Sequence, residues 1–268
     1  MALMHVNFFS DVLGLSMSMD AIIPQTAKNQ IGMKGIAGGK PYKTLYLLHG
    51  MSDDHTIWQR RTSIERFAAE LGVAVIMPAT ALGWYTDMSH GLKWWTYISR
   101  ELPEICRGFF PLSAKREDNY AAGLSMGGYG AVKLGLACGE SFSHVASLSG
   151  ALDLSLNFSA QNLENVKDTR SDTFWSDVFG PLEEYAGSGN DLRALAEKRK
   201  AMGNMPKIYV WCGTEDFIYN QNTSFRDYVL ELGYDLTYKE SPGDHQWKYW
   251  DERIQDVLDW LPVHGETE

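Results

Sequence analysis

The chain has 268 residues, of which 44% are hydrophobic and 12% aromatic, and its formal net charge is −10. This hydrophobic content excludes a disordered chain, and the length suits one α/β domain with a large buried core. The negative charge is spread along the chain without blocks, which argues against nucleic acid or an anionic membrane as a partner.

The first half of the chain predicts an edge hairpin followed by buried strands. Residues 2–9 and 15–23 alternate polar and apolar side chains, which predicts an antiparallel pair of strands at a sheet edge. Buried strands are expected at 44–48 and 73–77, with a helix at 57–71 between them. The helical pattern at 96–109 contains Pro103, which should kink this helix or mark its start.

The second half continues as strands that alternate with helices. The pattern predicts strands at 119–124, 145–148, 208–212 and 236–239, and helices at 126–137, 224–232 and 249–261. This alternation indicates an α/β fold, a mostly parallel sheet with helices on both faces. Residues 152–203 interrupt the alternation and predict a small cap-like insertion within a single domain, 1–268.

A serine stands where one of these strands turns sharply into a helix. Ser125 lies in Gly123-Leu-Ser-Met-Gly127, between the strand at 119–124 and the helix at 126–137. The glycines remove side chains that would collide in so tight a turn, and they permit a strained serine backbone. This context is that of the nucleophile elbow of an α/β-hydrolase fold.

A serine hydroxyl needs a histidine as base and a carboxylate to orient that histidine. In this fold the acid and then the histidine follow the serine along the chain, each at the end of a strand. Strand 208–212 leads into Asp216, and strand 236–239 leads into His245. The sequence therefore predicts a triad of Ser125, Asp216 and His245.

Other acids and histidines remain as alternatives. Asp153 follows the strand after the serine, and Glu215 adjoins Asp216. His49 also ends a strand, but it precedes the serine and suits the oxyanion loop better. The remaining histidines lie in early loops, at a strand start or in the C-terminal tail: His55, His90, His144 and His264.

Backbone N–H groups are expected to stabilise the oxyanion of the tetrahedral intermediate. The first donor is Met126, directly after the serine and at the start of a helix, where the helix dipole favours negative charge. The second donor is assigned to Met51, in the His49-Gly50-Met51 loop after the first buried parallel strand.

Five stretches together resemble a known family: residues 47–58, 83–88, 123–131, 213–216 and 243–247. They resemble the esterase branch of the α/β-hydrolases that includes S-formylglutathione hydrolase and esterase D, and within it the bacterial tributyrin esterases. The resemblance implies a carboxylesterase for short acyl chains that uses the predicted triad and needs no cofactor and no metal. The sequence of residues 49–52 differs from that of the same loop in S-formylglutathione hydrolases. This difference disfavours glutathione thioesters as substrates.

The substrate is a small-molecule ester, and its chemistry is only partly predicted. We expect some of the loop aromatics to line the cleft, with Trp84, Tyr85, Trp95 and Trp247 as candidates. An acyltransferase that uses the same acyl-enzyme and a non-enzymatic binding module are the alternatives to a hydrolase. Transfer of the acyl group to a competing alcohol would distinguish the first, and loss of a triad residue would mark the second.

Compartment and assembly are less constrained by the sequence. The three cysteines, Cys106, Cys138 and Cys212, fit neither a disulfide framework nor a metal site, so reduced thiols are expected. The N-terminal residues do not resemble a signal peptide, and no apolar stretch reaches the roughly 18 residues of a membrane span. A cytoplasmic enzyme is expected, and the sequence leaves a homo-oligomer open.

Overall fold

The computed structural model describes residues 1–27, 29, 31–32, 35–36, 39–158 and 171–263. The strands within these residues are β1 (Ala2–Ser10), β2 (Leu15–Ile23), β3 (Thr44–Leu48), β4 (Ala74–Pro78), β5 (Asn119–Leu124), β6 (His144–Leu148), β7 (Lys207–Gly213) and β8 (Leu236–Ser241). They form one sheet in the order β1-β2-β4-β3-β5-β6-β7-β8.

The sheet is parallel except at the edge formed by its first two strands, β1 and β2. Strands β1 and β2 form an antiparallel hairpin, and β2 pairs antiparallel with β4. Every pairing from β4 through β3, β5, β6 and β7 to β8 is parallel. This confirms the predicted edge hairpin and the predicted parallel sheet, and it brings the carboxyl ends of β3, β5, β7 and β8 to one edge.

Helices cover both faces of the sheet, as predicted. They are α1 (Ile57–Arg61), α2 (Ile64–Leu71), α3 (Trp94–Thr96), α4 (Leu102–Phe109), α5 (Met126–Ala137), α6 (Phe174–Phe179), α7 (Leu192–Met202), α8 (Tyr219–Glu231) and α9 (Trp247–Trp260). One core lies between the sheet and α4, α5, α7 and α8, and a second between the sheet and α1, α2 and α9. The strands between these layers are therefore buried on both sides, which explains their continuous apolar runs.

The single helix expected over 57–71 is wrong, because the chain breaks into α1 and α2 at Thr62. The Thr62 hydroxyl donates to the Trp58 carbonyl at 2.5 Å and accepts the N–H of Ile64 at 3.2 Å. A threonine side chain that bonds nearby backbone groups competes with the helical ladder. The Asp251 carboxylate also accepts the N–H of Ser63, which fixes the start of α2.

Two other boundaries carry information about the site. Pro103 lies in the first turn of α4, which directly continues α3 and a π-helical turn at Tyr97–Glu101, so it does not start the helical stretch; the ladder changes from π to α just before it. Helix α8 begins at Tyr219 rather than at 224, which places its first turn three residues after Asp216.

The predicted cap region, 152–203, is described outside residues 159–170. It contributes α6 and α7, and aromatic side chains of this region join the core that contains α5. Its role as a cap stays a prediction. Among the residues that the structure describes, no helix is both long and apolar enough for a membrane span.

Candidate active site

Ser125 occupies the turn between β5 and α5 in a strained backbone conformation. Its φ is +52° and its ψ is −119°, values that residues other than glycine rarely adopt. The Ser125 N–H donates to the Leu148 carbonyl at 3.0 Å, and the Ser125 carbonyl accepts the N–H of Tyr129 at 3.1 Å. These bonds from the neighbouring strand and the following helix hold the strained turn in place.

Close backbone approach explains the two glycines around the serine. A Cβ on Gly123 would lie 2.4 Å from the Gly127 carbonyl oxygen, and a Cβ on Gly127 would lie 2.4 Å from the Leu48 carbonyl oxygen. Both distances are far below van der Waals contact. The motif is therefore a packing requirement of the elbow, and it also brings α5 against the end of β3.

The predicted oxyanion loop lies directly beside the serine. A Cβ on Gly50 would be 3.6 Å from the Ser125 Cβ and 2.5 Å from a Leu124 methyl carbon. Met51 follows Gly50, and Met126 is the first residue of α5. Backbone N–H groups in the first turn of a helix have no carbonyl partner within the helix, so the Met126 N–H is available to a ligand.

His49 supports this loop from inside the protein. Its Nε2 accepts the N–H of Thr80 at 3.0 Å, so its proton is on Nδ1, which donates to the Gly50 carbonyl at 2.7 Å. Burial lowers the pKa of His49 to about 4, so the ring is neutral at physiological pH. The Tyr85 hydroxyl donates to the His49 carbonyl at 2.9 Å. His49 and Tyr85 thus position the loop.

A buried lysine continues this network away from the loop. Lys133, on α5 and 2% exposed, donates to the Tyr85 carbonyl at 3.0 Å and to Asn190 Oδ1 at 2.7 Å. The Asn190 carbonyl accepts the hydroxyls of Tyr129 and Tyr185, each at 2.8 Å. Burial lowers the pKa of Lys133 to about 7. Asn190 therefore connects the 152–203 region to α5 and to the turn that carries Tyr85.

His245 pairs with Asp216 at the ends of β8 and β7. The imidazole Nδ1 lies 2.9 Å from Asp216 Oδ2 and 3.1 Å from Oδ1. The Asp216 side chain is fully buried and that of His245 is 19% exposed. Asp216 Oδ1 also accepts the N–H of Ile218 at 3.1 Å. With Nδ1 directed at the carboxylate, Nε2 is the ring nitrogen on the side away from Asp216.

The loops that carry the acid and the histidine are packed backbone against backbone. The Thr214 N–H donates to the Ser241 carbonyl and the Glu215 N–H to the Gly243 carbonyl, each at 3.0 Å. A Cβ on Gly213 would lie 2.1 Å from the Gly243 carbonyl oxygen. The Glu215 carboxylate accepts the Gly243 N–H, which lowers its pKa. Glu215 therefore joins the two loops, and Asp216 is the acid on the histidine.

Asp153, the other acid considered from the sequence, has different partners. Its carboxylate accepts Arg193 Nη2 at 2.6 Å and Nε at 3.0 Å, and also the Ser224 hydroxyl at 2.8 Å. This ion pair ties the loop after β6 to α7 and α8. Asp153 is thus engaged in structural contacts.

The other histidines have partners elsewhere in the protein. His5 and His55 approach Asp20, at 2.6 Å and 3.9 Å. His90 is paired with Asp177 at 3.5 Å, and His144 Nδ1 lies 2.9 Å from the Ser143 hydroxyl. His264 lies outside the described residues. These positions leave His245 as the histidine that the structure pairs with a carboxylate at the end of β7.

The four aromatics predicted to bind substrate are not brought together. Tyr85 has no exposed surface and Trp84 is 4% exposed, packed against Tyr129, Trp175 and Phe179. Neither side chain has surface for an ester in this conformation, because the 83–86 turn directs both into the core. In this conformation the Tyr85 hydroxyl instead supports the 49–51 loop, through its hydrogen bond to the His49 carbonyl.

Trp95 and Trp247 differ in their distance from the serine. Trp95 lines a cavity of about 370 Å³ beside Cys138, which follows the last residue of α5. Since α5 rises about 18 Å from the serine end, Trp95 lies away from the predicted site. Trp247 is partly exposed, two residues after His245, and packs edge-on against Trp58 and Trp250. Its contact with substrate stays a prediction.

Two rings that sequence analysis did not single out contact His245. The Trp250 ring meets the imidazole edge-on at 4.8 Å, and Phe217 lies at 4.6 Å from it with 52° between the planes. Trp250 is 4% exposed, whereas Phe217 is 78% exposed. The only available signal was that Phe217 directly follows the predicted acid.

A strained serine at an elbow, a buried acid paired with a histidine and a loop packed beside the serine are the features of a serine hydrolase of the α/β-hydrolase fold. The model of the "Putative esterase" family matches residues 33–261. The chain belongs to this family, and it is a serine carboxylesterase.

Individual proteins of known sequence and structure agree with this classification. The chain is 32% identical to an acetyl esterase of Caldicellulosiruptor saccharolyticus, over 97% of this chain and 98% of that protein. It is 34% identical to FphF, a fluorophosphonate-binding serine hydrolase of Staphylococcus aureus, with a TM-score of 0.85 over 98% of this chain and 99% of that one. An S-formylglutathione hydrolase of the same organism shows 34% identity, a TM-score of 0.82 and the same coverage.

Proposed function

We propose that this esterase hydrolyses esters with short acyl groups, from acetyl to butyryl, through an acyl-enzyme on Ser125. The observation that carries the assignment is the convergence at one sheet edge of Ser125, with its φ of +52°, and the His245–Asp216 pair at 2.9 Å. Residues of these types in this chain order are what nucleophilic catalysis by serine requires.

In the proposed mechanism, His245 Nε2 takes the Ser125 proton while the serine oxygen attacks the ester carbonyl. The oxyanion accepts the N–H groups of Met126 and Met51, which are held before substrate binds. The imidazolium, stabilised by Asp216, then protonates the leaving alcohol. Water then gives a proton to His245 while its oxygen bonds to the acyl carbon. The Ser125 ester bond breaks, the acid leaves, and His245 returns the proton to the Ser125 oxygen.

One finding supports a preference for short acyl groups. The relative at 32% identity, which this chain matches over 97% of its length, is named an acetyl esterase.

A thioester is the second candidate substrate, because one structural neighbour at 34% identity is an S-formylglutathione hydrolase. The same acyl-enzyme serves esters and thioesters. We also propose a cytoplasmic location, where such thioesters would be present. All three cysteines are free thiols, as expected from the sequence.

The test is a series of p-nitrophenyl esters from acetyl to dodecanoyl, with S-formylglutathione as the thioester arm. We expect kcat/KM to be highest between acetyl and butyryl and to fall sharply by octanoyl. A flat or rising profile to dodecanoyl would contradict the short acyl pocket. Ser125→Ala should keep the fold and lower kcat by about 10⁶, as removal of a triad nucleophile does.

Labelling separates the nucleophile from other serines. A fluorophosphonate should modify the wild type at Ser125, which peptide mass spectrometry would locate. The control is Ser99→Ala, because Ser99 lines the cavity beside Cys138. This variant should retain labelling and activity. Modification of another serine, or activity within about tenfold of wild type in Ser125→Ala, would contradict the assigned nucleophile.

A further inference from the structure

An exposed phenylalanine lies against the imidazole that handles the protons. Three phenylalanines of the described residues are strongly exposed: Phe217 at 78%, Phe9 at 59% and Phe109 at 55%. Phe9 is on the edge strand β1, and Phe109 contacts Phe110 at the end of α4. Phe217 alone among these three contacts a residue of the proposed triad, His245, at 4.6 Å between ring centroids.

The two rings beside His245 have opposite environments. Trp250 is buried, donates its indole N–H to the Ser149 hydroxyl at 3.2 Å and fixes the imidazole from within. Phe217 contributes little to the core, since most of its surface is uncovered. Large exposed aromatic surface is unfavourable in water, and beside a reactive group it is a candidate ligand contact.

The chemistry of the reaction decides which part of the ester comes close to Phe217. His245 Nε2 must reach the oxygen of the leaving alcohol at hydrogen-bond distance to protonate it. The oxyanion side of the carbonyl points instead toward Met51 and Met126. A substituent on the alcohol oxygen therefore begins beside the imidazole, against which Phe217 lies.

We propose that Phe217 is a specificity-determining residue that contacts the alcohol part of the ester and favours apolar, above all aromatic, alcohols. The proposal rests on the assignment of Ser125 and His245 as the reacting pair. Asp216, directly before Phe217, holds the imidazole, so the specificity contact and the acid come from the same loop.

The same contact must act in both directions of the alcohol step. In acylation, the Ser125 oxygen bonds to the acyl carbon, the bond between that carbon and the alcohol oxygen breaks, and the proton from Ser125 passes through His245 to the departing alcohol. In transfer, an alcohol gives its proton to His245, its oxygen bonds to the acyl carbon, the Ser125 ester bond breaks, and His245 returns the proton to the Ser125 oxygen. Hydrolysis of the acyl-enzyme by water involves no alcohol substituent and should not depend on Phe217.

The experiment compares benzyl acetate with ethyl acetate, which share the acyl group, in the wild type and in Phe217→Ala. We expect kcat/KM for benzyl acetate to fall about five- to tenfold, the effect of losing one aromatic contact, and that for ethyl acetate to stay within about twofold. For the acetyl-enzyme, the ratio of transfer to benzyl alcohol over hydrolysis by water should fall by the same factor. Phe217→Trp should retain the preference, and Phe9→Ala should leave both esters unchanged.

Each other result would overturn the proposal. An equal loss for both esters, or a changed pH profile of kcat/KM, would show that Phe217 acts only on His245. No loss for either ester would show that the ring does not contact substrate. If wild type hydrolyses neither ester and Ser125 is not labelled by fluorophosphonate, the assigned function fails first, and Phe217 has no alcohol to recognise.

Discussion

The two sides of the proposed site are built in contrasting ways. On the donor side, His49, Tyr85 and Lys133 are almost fully buried and joined by hydrogen bonds of 2.9–3.0 Å between Tyr85 and its two partners. On the base side, the His245 side chain is 19% exposed and Phe217 is 78% exposed. One side is held by a buried polar network, and the other faces solvent.

This difference matches what each side must do during turnover. Oxyanion donors stabilise a transient charge without taking or giving protons, so they benefit from fixed positions and exclusion of water. The histidine must change its charge twice, and an alcohol and then a water must pass it. Under the proposed mechanism, the rigid side is the one that stabilises charge, and the exposed side is the one that protons and products pass.

The sharpest effect is expected on the base side, from Asp216→Asn. Loss of the carboxylate misorients His245 and no longer stabilises the imidazolium, so kcat should fall by about 10⁴. Asp153→Asn is the matched control, because it breaks the Arg193 pair and should lower stability while leaving kcat within about tenfold. Turnover of p-nitrophenyl acetate measures both. Exchange of the two outcomes would move the acid to the end of β6.

A smaller loss is expected on the donor side, from Tyr85→Phe. This change removes the hydrogen bond to the His49 carbonyl, so the loop should lose order and kcat should fall about tenfold with KM little changed. The control is Tyr46→Phe, because the buried Tyr46 hydroxyl lacks a hydrogen-bond partner among the described residues. An unchanged kcat in Tyr85→Phe would show that the loop does not need this support.

The remaining prediction concerns pH and the contribution of Lys133 to stability. The native pKa of Lys133 is about 7 against 10.5 for a free lysine, because burial disfavours the cation. Between these values the unfolded chain holds a proton that the native protein lacks, so stability rises with pH in this window and not below it. Compared with Lys133→Met, the wild type should gain up to about 1.4 kcal/mol per pH unit from pH 7 to 9.

Urea unfolding of both proteins at pH 6, 7, 8 and 9 measures this difference. Comparison with the variant cancels the titration of other groups. A difference that is constant across the range would contradict the lowered pKa, because a lysine protonated in both the native and the unfolded state adds no pH dependence below pH 9.

The parts of the site that sequence could predict are those fixed by local backbone geometry. Gly123 and Gly127 mark the elbow because a Cβ at either position would collide with backbone oxygen. The order of strands then places the ends of β7 and β8 beside that elbow, since parallel strands share an edge. The pairing of Asp216 with His245 follows from these two local signals.

The aromatic residues could not be assigned in this way, because tertiary packing decides which side of a loop faces the core. Trp84 and Tyr85 both have a φ of +49°. The turn formed by this backbone directs their rings inward, and no local sequence pattern predicts it. Asn190 was equally hidden, because it meets Lys133 across 57 residues of sequence. Phe217 follows the acid directly, yet its exposure depends on how the 213–217 and 243–247 loops meet.

The backbone contact between Gly213 and Gly243 couples the 213–217 loop to the 243–247 loop, so neither backbone can change independently of the other. An insertion in one segment would displace the other, so acid and histidine can shift only together. Recombination or design that seeks new alcohol preferences should therefore exchange both segments at once, or change only side chains such as Phe217 that project from them. Side chains that project from the two loops can therefore vary between related enzymes, whereas the backbone at the Gly213–Gly243 contact must be conserved.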